Sequence, residues 1–214
     1  MKPVFELSKR RRLPETAVRI EARRRRKRES ILNAAQEILD EKGPHKMSLR
    51  AVARRAGCAP ATLYEYFDSL FDLLDALADR PRAQLQVFLQ AAQRDNAGMA
   101  TDLMIRLAVA YVRFARRHPK EFRLLFETVS PQQTGALKEA KLHPVLQPLL
   151  DSATAGQMTG ELHGDDDPER IAWGLWALAH GIATLRSTGT PMLDADADAA
   201  DISVLQAYIG GWLV

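Results

Sequence analysis

Leu49, Val52, Ala53 and Ala56 recur at i, i+3, i+4 and i+7, the spacing of one helical face, while Arg50, Arg54 and Arg55 fall on the others. Gly57 follows where a helix ends through a left-handed residue, and Pro60 stands where a first-turn proline loses no hydrogen bond. A second short helix therefore starts near Ala59. Leu63 and Phe67 are its apolar anchors, and Thr62, Tyr64 and Tyr66 are its hydroxyl-bearing positions. Two short amphipathic helices around a glycine turn, over residues 48–67, have the layout of a helix-turn-helix. Helical hairpins also occur in proteins that never meet nucleic acid, so the remaining sequence decides what this one does.

Helical periodicity continues on both sides. A first helix over 29–42 places Ile31, Ala34, Ala35, Ile38 and Leu39 on one face, and Gly43-Pro44 stops it. Asp68-Ser69 caps a fourth helix with Leu70, Leu73, Leu74 and Leu77, which Pro81 breaks or kinks. One helix over 99–117 ends at His118-Pro119, and another over 120–129 carries Phe122, Leu125, Phe126 and Val129; Pro131, Pro144 and Pro148 divide the next stretch into shorter pieces. The helix opened by Pro168 holds Ile171, Trp173, Leu175, Trp176, Leu178, Ile182 and Leu185, apolar on too many sides for a surface helix. After Gly189, Pro191 and an acidic stretch over 194–201, a last helix offers Ile202, Leu205, Ile209 and Leu213. No alternating run suggests a sheet, so the fold class is all-α. The surplus apolar surface of the last two helices predicts a homodimer formed through them.

Charge adds direction. Residues 1–30 hold 12 Lys/Arg against 4 Asp/Glu, whereas the remainder holds 18 against 23. A basic segment ahead of an acidic body suits a molecule that meets a polyanion at one end only. The run Arg23, Arg24, Arg25, Arg26, Lys27, Arg28 could track phosphates or enter a minor groove, or be a solvated tail. It lacks the interleaved large apolar residues of a membrane-surface helix. No stretch approaches the roughly 18 uninterrupted apolar residues of a spanning helix, and the N-terminus has no secretory pattern; a cytoplasmic protein with no membrane partner is expected.

Other residue types offer little chemistry. Cys58, the one cysteine, has no partner for an internal disulfide; it reads as a small apolar plug in the turn rather than a thiol switch. Asp165, Asp166 and Asp167 ahead of Pro168 read as helix capping; with His163 they could suggest a calcium or magnesium site, but three adjacent acids lack the spacing of a binding loop. The five histidines at 45, 118, 143, 163 and 180 are not spaced as metal ligands, and no phosphate-binding glycine loop or nucleophile elbow occurs. No cofactor, metal or enzymatic activity is expected.

Residues 29–74 resemble the N-terminal domain of TetR-type transcriptional regulators: ILNAAQEILDEKG, then SLRAVARRAG, then ATLYEYF. The segments YVRFARRHPKEFRLLF and AWGLWALAHGIATLRSTG resemble parts of the C-terminal domain in a subgroup described by a Trp-His-Gly motif. The resemblance implies a basic arm over 1–28, a DNA-binding domain over 29–75 and an effector-binding and dimerisation domain over 76–214. It implies a sequence-specific regulator, most simply a repressor released from a double-stranded DNA operator by an unknown small-molecule effector. The alternatives are a constitutive, ligand-independent DNA binder, or an all-helical ligand-binding protein or enzyme.

On this reading Ser48 contacts a phosphate and Thr62, Tyr64 and Tyr66 face DNA, with Arg25, Arg26, Lys46, Arg50, Pro60 and Ala61 completing the interface. Met104, Tyr111, Phe114, Phe122, Phe126, Trp176 and His180 are the candidate effector residues; most of them also read as ordinary core, and His180 reads first as a satisfied core histidine and second as a polar contact for a ligand. Two positions depart from the family pattern. Ala59 stands where serine is common, and Leu70 where lysine usually reaches the backbone.

Overall fold

The computed structural model of the 214-residue chain describes residues 15–43, 46–94, 98–126, 145–187 and 197–214. Pro44, His45, Val129, Pro131, His143, Pro144, Gly189, Pro191 and Asp194, all invoked above, lie outside them. The described residues form α-helices and no strand; the nearest approach to one is an isolated antiparallel bridge between Leu162 and Leu213. The fold is all-α, as expected. The chain divides into two compact units, Met1–Leu73 and Leu74–Val214.

In the first unit, α1 (Glu15–Lys42) begins well before the expected start at residue 29. The basic run is therefore helical, not an arm, because no glycine or proline interrupts 15–42 and arginine and lysine are good helix formers. Ile31, Ala34, Ala35, Ile38 and Leu39 are buried, as the periodicity required. Gly43, at φ 72°, donates its N–H to the Leu39 carbonyl at 2.9 Å and closes the helix. Then come α2 (Leu49–Arg55) and the five-residue α3 (Pro60–Tyr64).

A longer helix, α4 (Leu70–Arg94), carries the chain into the second unit. Ser69 caps it, accepting the Asp72 N–H at 3.0 Å, while Asp72 accepts the Asp68 N–H at 3.1 Å. Pro81 sits inside α4 without ending it. Beyond the proline, Leu85 and Leu89 are buried in the second unit's core. Beside it, Arg82 pairs with Asp75 and Asp79 and donates to the Asp75 carbonyl at 3.1 Å, so packing and ion pairs hold the turn that the proline weakens.

The second unit is built around α5 (Ala100–Arg117), which packs on α7 (Leu146–Met158) and α8 (Pro168–Ser187), with α6 (Pro119–Phe126) against α5 and α8. The last helix, α9 (Ala197–Gly210), packs on α5 and α8. Asp167 caps α8, accepting the Glu169 N–H at 2.9 Å, which gives that aspartate the capping role the sequence suggested. Among the described residues no cluster of His, Cys, Asp or Glu is arranged for a metal. Glu161 reaches back to the start of α5 and accepts the N–H groups of Ala100 and Thr101, both at 3.0 Å. Burial pushes its carboxyl up, but these bonds and those from Thr159 and Thr101 hold it below its ordinary value.

Two contacts lock α9 to α8. Tyr208 lies over Gly174, where an added Cβ would collide with the phenol, and its hydroxyl donates to the Ile171 carbonyl at 3.3 Å. Arg186 and Asp201 form a buried two-pronged ion pair, 2.8 and 3.2 Å. Removing one partner of such a pair leaves a desolvated charge behind. Asp201→Ala is expected to destabilise the fold by about 3–5 kcal/mol, measured as a lowered urea midpoint at fixed protein concentration.

Candidate nucleic-acid interface and aromatic cluster

The helix-turn-helix is assembled by local backbone chemistry. Ser48 caps α2, its Oγ accepting the Ala51 N–H at 3.2 Å; its hydroxyl hydrogen stays available to a phosphate oxygen. At the other end Gly57 takes φ 59°, with the Cys58 N–H donating to the Ala53 carbonyl at 3.0 Å and the Gly57 N–H to the Arg54 carbonyl at 3.3 Å. This paired arrangement turns the chain sharply into α3. Nothing crowds the Gly57 Cβ position, so the requirement there is conformational rather than steric. Cys58 is half-buried beside it, and no second cysteine exists in the chain.

Pro60 occupies the first turn of α3, and Ala59 precedes it with no side-chain cap. Leu63 and Phe67, 0% and 1% exposed, hold the helix against the unit. Pro60, Ala61 and Tyr64 are exposed, Tyr64 at 56%, and Thr62 is half-buried. Lys46 and Arg50 are exposed as well. Tyr66, expected on the recognition helix, lies in the turn after it, its N–H donating to the Leu63 carbonyl at 3.0 Å.

The basic stretch of α1 is tied to this motif. The Arg24 guanidinium lies 6.0 Å from the Tyr66 ring, that of Arg28 5.1 Å from the Phe67 ring, and Lys27 Nζ is 3.5 Å from the Ala56 carbonyl. Arg23, Arg26 and Lys27 line a cleft of about 740 Å³ shared with Thr62, Glu65 and Tyr66. Arg25 and Arg26 are exposed. Arg55, by contrast, is held by Glu41 at 2.7 Å and Glu37 at 3.1 Å. Its hydrogen bonds to Glu41 and then Glu37 raise its pKa, and the Arg55 bond lowers that of Glu41. Arg55 is thus a strut to α1 rather than a spare cation. The lack of helix breakers in 15–42 was the signal for the long α1; the docking of Arg24, Lys27 and Arg28 on the motif had none.

In the second unit the proposed effector residues gather into a packed cluster. His180 Nδ1 lies 2.8 Å from the Tyr111 hydroxyl, and its ring is 5.1 Å from Phe126, 5.7 Å from Phe122 and 5.8 Å from Trp176. Met104, Tyr111, Phe114 and Phe122 are fully buried; Phe126, Trp176 and His180 are half-buried. Phe114 faces Phe88 and His118 instead, with centroids at 5.5 and 5.2 Å, so it stands apart from the rings around His180. Burial lowers the His180 pKa and raises that of Tyr111, keeping both neutral at pH 7.

Two family models match the chain: one described as bacterial regulatory proteins, tetR family, over residues 31–77, and one as tetracyclin repressor-like, C-terminal domain, over 104–207. The uncharacterized HTH-type transcriptional regulator Rv0681 of Mycobacterium tuberculosis is 30% identical over 177 residues, 80% of this chain and 75% of the relative. A solved protein of unknown function from Rhodococcus sp. RHA1 is 31% identical with a TM-score of 0.69, covering 88% of this chain and 96% of its own. The regulator FadR from Bacillus subtilis, solved with stearoyl-CoA, shares the fold at 19% identity and a TM-score of 0.64, over 85% of this chain and 97% of its own.

Replacing Gly57 tests the turn. Gly57→Ala puts a Cβ on a left-handed residue at an expected cost of about 1–2 kcal/mol, seen as faster amide hydrogen exchange in residues 46–67 with α5 unaffected.

Proposed function

The chain belongs to the TetR family of bacterial regulators, a DNA-binding transcriptional regulator, and from that premise we propose that it is a homodimeric repressor that a small-molecule effector releases from its operator. The observation that carries the reading is the recognition helix, anchored by Leu63 and Phe67 with Pro60, Ala61, Thr62 and Tyr64 left to face a major groove. Ser48, Lys46 and Arg50 supply phosphate contacts at the motif, and Arg25 and Arg26 supply them from α1; Tyr66 contributes from the turn. Leu70 brings no cation to the start of α4, and the helical basic stretch of α1 compensates.

The dimer forms through α8 and α9. Trp173 and Leu185 on α8 and Val204 on α9 are 55%, 46% and 47% exposed, large apolar groups that a second copy would cover. Two recognition helices about one DNA turn apart, roughly 34 Å, would then read two half-sites. The resemblance of the segment AWGLWALAHGIATLRSTG supports reading the C-terminal domain as one of the Trp-His-Gly subgroup. An effector that favours another separation of the reading heads weakens operator binding, and the operator weakens effector binding by the same factor. FadR with its stearoyl-CoA is a precedent for a small-molecule ligand on this fold. The second reading, a ligand-independent binder, draws its support from the complete burial of Met104, Tyr111, Phe114 and Phe122, which leaves those four no free face.

Replacing Thr62 and Tyr64 together with alanine should abolish discrimination between operator and scrambled DNA in a mobility-shift assay, with sedimentation unchanged from wild type. Retained discrimination would displace the assignment of α3. Changing Arg23, Arg25 and Arg26 to glutamine should weaken binding to all sequences and flatten the plot of log affinity against log salt by about 0.9 for each phosphate no longer neutralised. An unaltered slope would remove α1 from the interface.

A further inference from the structure

Away from the aromatic cluster, the Leu74–Val214 unit carries an open groove of about 600 Å³ bounded by α4, α5 and α9. Its floor is apolar: Val87 and Phe88 from α4, Ile105 and Val109 from α5, and Ile202 from α9. Val87 is 62% exposed, a β-branched aliphatic side chain left facing water. None of the candidate effector residues lines the groove, and Trp173, Leu185 and Val204 of the α8/α9 face are likewise absent from it.

The rim has one sign of charge. Arg106, Arg113 and Arg117 lie at i, i+7 and i+11 of α5, on one side of the helix, and no acidic side chain joins them in the lining. Arg106 Nε donates to the Ala92 carbonyl at 3.4 Å, which fixes its stem along α4. The Arg117 guanidinium lies over the Phe88 ring at 6.0 Å. Arg113 comes no nearer than 3.8 Å to Asp198, whose carboxylate Arg116 takes in a two-pronged pair. Arg113 and Arg117 therefore stand one turn apart beside an apolar channel, Arg113 in a long ion pair with the Asp198 carboxylate that Arg116 holds more closely, and Arg117 over the Phe88 ring.

A neutral apolar guest would cover the floor but offer nothing to the guanidiniums at its edge. A small anion would meet the rim and leave the floor wet. A molecule with an extended aliphatic chain and an anionic head satisfies both, since burial of the chain scales with apolar area and a carboxylate accepts paired hydrogen bonds from arginine. The volume lies within the range of small-molecule sites. We propose that this groove binds a fatty-chain carboxylate, with its tail along Val87, Phe88, Ile105 and Val109 and its head between Arg113 and Arg117. The proposal rests on the effector reading only for its consequence at the operator; the binding site stands on the groove itself.

The test is isothermal titration of the full-length protein with dodecanoate below its micelle concentration, beside dodecanol and acetate. Dodecanoate should saturate at one per protomer and bind at least tenfold more tightly than either comparison compound. The exposed pair Arg113→Gln and Arg117→Gln should weaken dodecanoate at least tenfold and leave dodecanol unchanged. Equal binding of dodecanoate in the double variant would overturn the proposal, as would binding confined to phosphatidylglycerol vesicles with none to the monomeric acid. Operator release is read separately. Saturable dodecanoate binding that spares the operator complex supports the groove and counts against effector control, whereas release that persists in the double variant overturns the groove as the site.

Discussion

A five-residue helix cannot hold itself together in water, and the whole reading of this protein depends on what holds α3 in place. Leu63 and Phe67 supply that hold by burying themselves completely, one turn apart. Pro60 fixes the first turn, the Gly57 turn sets the angle of entry, and Ala59 adds no cap. The recognition surface is therefore made by tertiary packing and turn geometry rather than by helix propensity. That is why its outward positions, Ala61, Thr62 and Tyr64, are free to differ without disturbing the fold.

The same logic extends to α1. A 28-residue helix with a dense arginine run gains little from its own polar face, yet its Arg24, Lys27 and Arg28 lie on aromatic rings and a carbonyl of the motif, and Arg55 returns to Glu37 and Glu41. Cations that would repel one another in a free tail become partly fixed, and the field they create is aimed rather than diffuse. In the second unit, polar devices do comparable work at element ends: Glu161 on the start of α5, Asp167 on α8, and the Arg186–Asp201 pair between α8 and α9.

Much of this was legible in the sequence because it rests on period and punctuation. The apolar faces of α1 and α2, the left-handed Gly57, the first-turn Pro60, the Ser69 and Asp167 caps and the all-helical class each derive from a residue type at a spacing. What escaped were effects of tertiary context. The helical start at Glu15 was hidden because charge density suggested a tail. Continuity through Pro81 depends on Leu85, Leu89 and the Arg82 ion pairs. Tyr66 fell outside α3 because the chain tightens into a turn there, with the Tyr66 and Phe67 N–H groups both donating to the Leu63 carbonyl at 3.0 and 3.1 Å. The aromatic residues chosen for a pocket do gather around His180, but periodicity alone cannot tell a lining from a filled core, and it gave no hint of the groove beside Val109.

The central claim is that α3 reads sequence and not merely charge. The most direct measurement is binding of the purified protein to a labelled fragment from upstream of its own gene, beside a scrambled fragment of the same length and composition, across a salt series. The account predicts preferential binding to the native fragment that survives at physiological salt. Equal and steeply salt-sensitive binding to both fragments would contradict it there, leaving only the attraction of the α1 arginines for phosphate.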